Sequence, residues 1–259
     1  MPDGSMIIPW AWLDKKAGSS PFQKSAKHEK EYARKLRHVA REVGRIVNGF
    51  PAGDLSAASM LNVALSRYAE MLRPWAQSVV GRLLVDLDRQ DEQAWISRTK
   101  QMGRAIRYEL ETAPTGQALR GYLDENVRLI TSLPLEAGQR VHELTMEALS
   151  NSTRASEIAK EIQRTGDVTE SRATLIARTE VSRTQTGLTR VRAEHIGSEG
   201  YIWRAVMDGD TRQRHKDLDG KYFGWRDPPI AGENGERYAP GCGPNCRCYP
   251  EVVIPQEIK

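Results

Sequence analysis

The chain has 259 residues, of which 39% are hydrophobic and 28% charged, and its mean hydropathy is -0.58. This length fits one or two domains with a sizeable core, and no apolar run approaches the roughly 20 residues of a membrane helix. The formal net charge of +4 is too small to predict a nucleic-acid binder by itself. The three cysteines lie close together, unlike the framework of a disulfide-rich secreted protein, and favour synthesis in a reducing cytoplasm.

Residues 1–21 are predicted to form an extended N-terminal arm, because prolines and glycines interrupt the segment. Trp10 and Trp12 give this arm an apolar surface. That surface can fold back onto the body of the protein or anchor on a partner.

A helical domain is predicted over residues 22–150, and its first helix covers residues 22–47. Apolar residues recur there at three- and four-residue spacing, which places them on one face: Leu36, Val39, Ala40, Val43 and Val47. The other face is basic and can contact phosphate, contact an acidic protein surface or be solvated. The candidate nucleic-acid or partner-binding residues are Lys24, Lys27, Arg34, Lys35, Arg41 and Arg45.

Helical patterns continue to about residue 165. Breaks in the helical pattern are predicted at Pro51, Pro74, Pro114, Pro134 and the Thr165-Gly166 pair. The prolines fit helix starts or kinks, since proline lacks the backbone N–H that a helix interior donates. The sequence has no glycine-rich phosphate-binding loop, which argues against an ATPase.

The clearest helix is predicted over residues 169–197, with Thr169 as its N-cap and Gly197 in a left-handed conformation after its end. Short strands are predicted next, within residues 201–208, 221–225 and 247–254. The fold class is therefore predicted to be α+β, with a mostly helical N-terminal part, a long helix and a small loop-rich β part.

The cysteines Cys242, Cys246 and Cys248 all belong to this β part, together with His215. Three cysteines and one histidine form a ligand set that suits a structural zinc ion, which would stabilise a domain with little core. The competing hypothesis is no cofactor and small buried thiols in a tight turn, because free cysteine packs like a small hydrophobic residue. A catalytic thiol would need His215 as its base.

Five sequence motifs occur in a characteristic order within residues 150–254. They are "IARTE" in the long helix, "GYIWR", the segment "DTRQRHKDLDG", the "DPP" turn and "NCRC" before a strand. In this order the motifs resemble the C-terminal domain of phage head morphogenesis proteins, the family of the phage Mu F protein and the phage SPP1 minor head protein. The resemblance places a head morphogenesis domain at residues 151–259.

The resemblance implies a minor capsid protein that acts in head assembly near the portal vertex of a tailed bacteriophage. It implies the portal protein and the major capsid or scaffold protein as partners, non-specific contact with phage DNA, and no membrane. The protein would be made in the cytoplasm of the bacterial host and belong to the virion. The residues of the matching motifs are expected to be structural: Arg178, Thr179, Glu180, Trp203, Asp210, Asp219 and Gly220.

Two enzymatic alternatives use the same C-terminal domain. The first alternative is a metal-dependent nuclease, which "RHKDLDG" and the cysteines suggest. Such an enzyme would need a second histidine or an asparagine near its metal. The candidates in the C-terminal segment are Asn234 and Asn245. A toxin-like enzyme would need an effector module, and none is expected after residue 254. A protein without catalytic activity is therefore the favoured hypothesis.

Overall fold

The computed structural model of the chain describes residues 8–9, 25–52, 54–98, 112–151 and 155–254. Six helices lie in these ranges: α1 (Ser25–Asn48), α2 (Leu55–Arg98), α3 (Thr115–Asn151), α4 (Ala155–Gln163), α5 (Thr165–His195) and α6 (Gln213–Leu218). Four strands accompany them: β1 (Ile8–Pro9), β2 (Gly200–Arg204), β3 (Tyr222–Gly224) and β4 (Tyr249–Ile254). The α+β class predicted from the sequence is confirmed. No helix in the described ranges is long and apolar enough to cross a membrane.

The chain forms two compact units, each built from separate segments. Unit 1 contains residues 1–28, 84–122 and 178–259, and unit 2 contains residues 29–83 and 123–177. The predicted division of the chain at residues 21 and 150 stays a prediction, because compact units defined by contacts need not coincide with the domains of a family.

The core of unit 2 is formed by apolar faces of α1 to α4. Each helix contributes a pair of buried residues one turn apart: Val43 and Val47, Leu61 and Leu65, Ala137 and Val141, Ile158 and Ile162. The predicted apolar face of α1 is buried throughout, which confirms its helical spacing.

Unit 1 contains an antiparallel sheet with the strand order β1-β4-β2-β3. The register pairs Tyr201 with Val252 and with Phe223, so β2 lies between β4 and β3. Strand β1 pairs with the outer edge of β4, placing Ile8 opposite Ile254. The described part of the arm therefore folds back onto the sheet, whereas Trp10 and Trp12 lie outside the described residues.

Aromatic residues fill the core beside this sheet. Tyr201 and Trp203 are completely buried and pack with Trp95, Trp225 and the two cysteines Cys246 and Cys248. The ring of Tyr201 lies 4.6 Å from that of Trp225, a distance typical of a favourable aromatic pair. The small β part thus has its own apolar core.

Three local predictions differ from the structure. Helix α5 begins at Thr165 and not after Thr169, whose hydroxyl donates to the Thr165 carbonyl oxygen inside the helix at 2.7 Å. A single residue, Arg164, separates α4 from α5 and continues the helical hydrogen bonds on both sides, so no cap is needed at residue 169. Gly197 does adopt the predicted left-handed conformation, with φ +83.

Proline does not start a helix at Pro74 or Pro134. Helices α2 and α3 continue through these residues, and the missing N–H costs each helix one hydrogen bond.

The strand predicted over residues 201–208 ends at Arg204. The next N–H, that of Ala205, donates to the Asp219 carboxylate at 2.8 Å, and Met207 has a positive φ of 57. Met207 is consequently half exposed and does not extend the apolar face of Tyr201 and Trp203.

Candidate functional site

The segment between β2 and β3 holds His215 inside the core. Before α6, the Asp208 carboxylate accepts hydrogen bonds from the Asp210 N–H and the Thr211 hydroxyl. These bonds lower the pKa of Asp208, first through the Thr211 hydroxyl, against a smaller opposing effect of desolvation. After α6, the Gly220 N–H donates to the Trp203 carbonyl oxygen at 2.9 Å. Both ends of the segment are thus fixed, and the His215 side chain is buried.

The cysteine-containing loop, residues 240–248, turns tightly and packs on α5. The Thr186 hydroxyl donates to the Pro240 carbonyl oxygen at 2.8 Å. Gly241 has φ +84, and a Cβ there would lie 2.8 Å from the Thr186 hydroxyl and 3.0 Å from the Cys248 carbonyl oxygen. Because no larger residue fits this position, the glycine allows the loop to lie against the helix.

The residues of the "RTE" motif connect α5 to the same loop. The Asn245 N–H donates to the Thr179 hydroxyl at 3.2 Å, and the Arg178 guanidinium lies 3.5 Å from the Asn245 side-chain oxygen. Asn245 takes a positive φ of 55, which asparagine tolerates better than most residues. Glu180 is buried on the same helix and faces Arg183 at 3.7 Å.

The loop brings two of its sulfur atoms to one nitrogen of His215. The Nδ1 atom of His215 lies 3.6 Å from the Cys246 sulfur and 3.5 Å from the Cys248 sulfur. All three side chains are buried, and their ligand atoms lie within 4.8 Å of one another. Cys242, the fourth member of the predicted set, is not part of this group of ligand atoms.

Polar neighbours fix the orientation of this cluster. The Nε2 atom of His215 lies 3.4 Å from the Tyr238 hydroxyl oxygen, which can accept its hydrogen. In that tautomer the lone pair of Nδ1 faces the two sulfurs. The Gly241 N–H donates to the Cys246 sulfur at 3.3 Å, and the edge of the Trp203 ring packs against the imidazole.

The three thiols have different acidities. Hydrogen bonding from Cys248 lowers the pKa of Cys246, against a smaller opposing effect of burial, and the Gly241 N–H adds to the lowering. Donation of that hydrogen bond, together with burial, raises the pKa of Cys248. Burial raises the pKa of Cys242 to about 12. Of the two cysteines beside His215, Cys246 is therefore the more acidic.

A small cleft of about 20 Å³ lies beside the cluster. Its walls include Val206, Asn245 and the Arg247 side chain, which forms ion pairs with Asp208 and Asp210. This volume holds about one water molecule.

The other predicted site residues lie elsewhere. On α1, Lys27, Arg34, Arg41 and Arg45 are exposed, and Lys35 pairs with Glu31 at 3.1 Å. Lys24 lies outside the described residues.

The contribution of Tyr238 was not predicted from the sequence. Tyr238 stands 23 residues from its partner His215, and no local spacing pattern connects two such positions.

Comparison with known proteins finds similarity in the C-terminal part of the chain. The family described as Phage Mu protein F like protein matches residues 139–250. An uncharacterized protein of Haemophilus influenzae is 32% identical over 129 residues, which is 50% of this chain and 28% of that relative. The chain thus spans little more than a quarter of the length of this relative. No solved structure matches the chain. Residues 139–250 therefore match the phage Mu F-like family, the same family that the sequence motifs resemble.

Proposed function

We propose that the chain is a minor head protein of a tailed bacteriophage that acts in head assembly at the portal vertex. The family match over residues 139–250 carries this proposal. Its partners would be the portal protein and the major capsid or scaffold protein, and its location would be the phage head.

The geometry of the site favours a binding role over catalysis. Both sulfurs beside His215 are buried, and a nucleophile must reach its substrate.

The nuclease hypothesis receives no support from the two asparagines. Asn234 hydrogen-bonds to the carboxylate of Glu236 through its backbone and side-chain nitrogens. Asn245 lines the cleft beside the Cys/His cluster, but its side-chain oxygen is engaged by Arg178 and its backbone N–H by Thr179. Within the described residues, His215 is the only histidine of the Cys/His cluster.

Deletion of the gene from its phage tests the head-assembly proposal. We expect lysis and tail production to continue while DNA-filled heads, counted by electron microscopy, fall at least about tenfold. Supplying the full-length gene from a plasmid is the control and should restore the heads. A normal yield of filled heads without the gene would contradict the proposal.

A further inference from the structure

We propose that His215, Cys246 and Cys248 bind one zinc ion, with a water molecule in the adjoining cleft as the fourth ligand. The Nδ1 atom of His215 and the two cysteine sulfurs are the protein ligands. This inference does not depend on the proposed role in head assembly, because it uses only the geometry of the C-terminal part.

The distances between the ligand atoms fit a tetrahedral zinc ion. Zn–S bonds of about 2.3 Å and Zn–N bonds of about 2.0–2.1 Å at tetrahedral angles place nitrogen and sulfur about 3.5–3.6 Å apart. The two observed distances from Nδ1 are 3.6 Å to Cys246 and 3.5 Å to Cys248. An ion can therefore enter between the three atoms with little movement of the side chains.

The surroundings of the ligands match those of metal sites. A histidine ligand usually donates its second ring N–H to a neighbouring oxygen, which fixes the ring and its tautomer. Tyr238 offers that oxygen to His215 at 3.4 Å. The Gly241 N–H donates to the Cys246 sulfur and supports its negative charge.

The fourth position faces solvent and not Cys242. Cys242 lies outside the group of converging ligand atoms. The cleft is lined by all three ligands and has space for about one water molecule. Three protein ligands and a water molecule complete four-coordination.

Hydrogen-bonded thiols without a metal are the competing explanation, since both cysteines belong to the aromatic core. In that case hydrogen bonds would link the two sulfurs with each other and with Nδ1. Two sulfurs stand at nearly equal distances from it. A central ion accounts for both contacts.

Zinc analysis of the full chain, purified without a metal-binding tag, tests the proposal. After incubation with zinc and gel filtration, elemental analysis should give about one zinc per chain for the wild type and for Cys242→Ser, the matched control. Cys246→Ser and Cys248→Ser should retain almost none. Tyr238→Phe should bind zinc at least about tenfold more weakly, because the histidine loses its orienting oxygen.

X-ray absorption of the zinc-loaded wild type makes the test independent of whether the variants fold. The expected zinc shell contains two sulfurs and two lighter ligands. Three sulfurs would mean that Cys242 binds and would overturn the ligand set. A wild-type chain that is folded by circular dichroism yet retains no zinc would overturn the site altogether.

Discussion

At the scale of single residues, Arg192 shows how unit 1 neutralises buried charge. Its side chain is only 4% exposed and donates to Asp91 at 2.6 Å and to Asp88 at 2.8 Å. The Thr189 hydroxyl completes the group by donating to Asp91 at 2.7 Å. Burial raises the pKa of Asp91, although Arg192 opposes this effect. Arg192 therefore offsets part of the cost of burying the Asp91 carboxylate.

Replacement of Arg192 by methionine should lower the free energy of unfolding by about 3 kcal/mol. The change keeps much of the side-chain volume but leaves two carboxylates without their counter-ion, and breaking a buried pair costs about 3–5 kcal/mol. The lower end of this range applies because the Asp88 side chain is 26% exposed and keeps some of its hydration. Urea unfolding followed by circular dichroism measures the loss.

Arg190→Met is the matched control on the same helix. Arg190 pairs with Glu194 in solvent, so its removal should cost less than about 0.5 kcal/mol. The triple variant Arg192→Met, Asp88→Asn, Asp91→Asn should regain part of the lost stability, because the uncompensated charges are gone. Equal losses for Arg190→Met and Arg192→Met would refute this account of the cluster.

At the scale of secondary structure, helix α1 presents an exposed row of positive charge. Lys27, Arg34, Arg41 and Arg45 are all exposed, and steps of seven, seven and four residues keep them within a narrow stripe of a 3.6-residue helix. The stripe extends along the helix for about 27 Å. Such a row can contact successive phosphates without reading sequence.

Replacement of these four residues by glutamine should weaken non-specific DNA binding and reduce its salt dependence. Each lost phosphate contact lowers the slope of log K against log salt by about 0.9, so the slope should fall by up to about 3–4. Filter binding over a range of salt concentrations measures both quantities.

The matched control removes the same charge from α2, where Arg67, Arg73, Arg82 and Arg89 are exposed. This control should change DNA binding less than the α1 variant does. If both variants behave alike, only net charge matters and α1 has no binding role.

The spacing of apolar residues predicted which helices and strands form better than it predicted the residues at which they end. The buried spacing of α1 and the pairing capacity of β2 and β4 are visible in the sequence, because burial imposes periods of 3.6 and 2. The end of β2 depends on Asp219, which lies 14 residues beyond the N–H it accepts. Contacts between distant residues of this kind leave no periodic signal.

The composition of the candidate site could likewise be predicted only in part from the sequence. The sequence grouped His215 with the three cysteines as one possible ligand set, and the structure brings Cys246 and Cys248 to this histidine. Which cysteine would stay apart could not be predicted. That outcome depends on the turn at Gly241 and on the packing of the loop against Thr186, which are tertiary contacts.

At the scale of the whole molecule, the two compact units differ in the elements and side chains that form their interiors. Among the described residues of unit 2 there are helices and connecting turns but no strand, and its core is aliphatic. Unit 1 contains the sheet, the aromatic core and the Cys/His cluster. The family match covers residues 139–250 and so includes residues of both units. We therefore expect partner binding to require the intact chain.

Co-purification with the portal protein of the same phage is the most direct test of the head-assembly role. The two proteins are co-expressed, the portal is captured by an affinity tag, and native mass spectrometry measures the ratio of chain to portal. We predict a complex that saturates at a fixed ratio, whereas a tail protein used as bait captures none. A folded chain that is absent from both the portal complex and purified proheads would contradict the account.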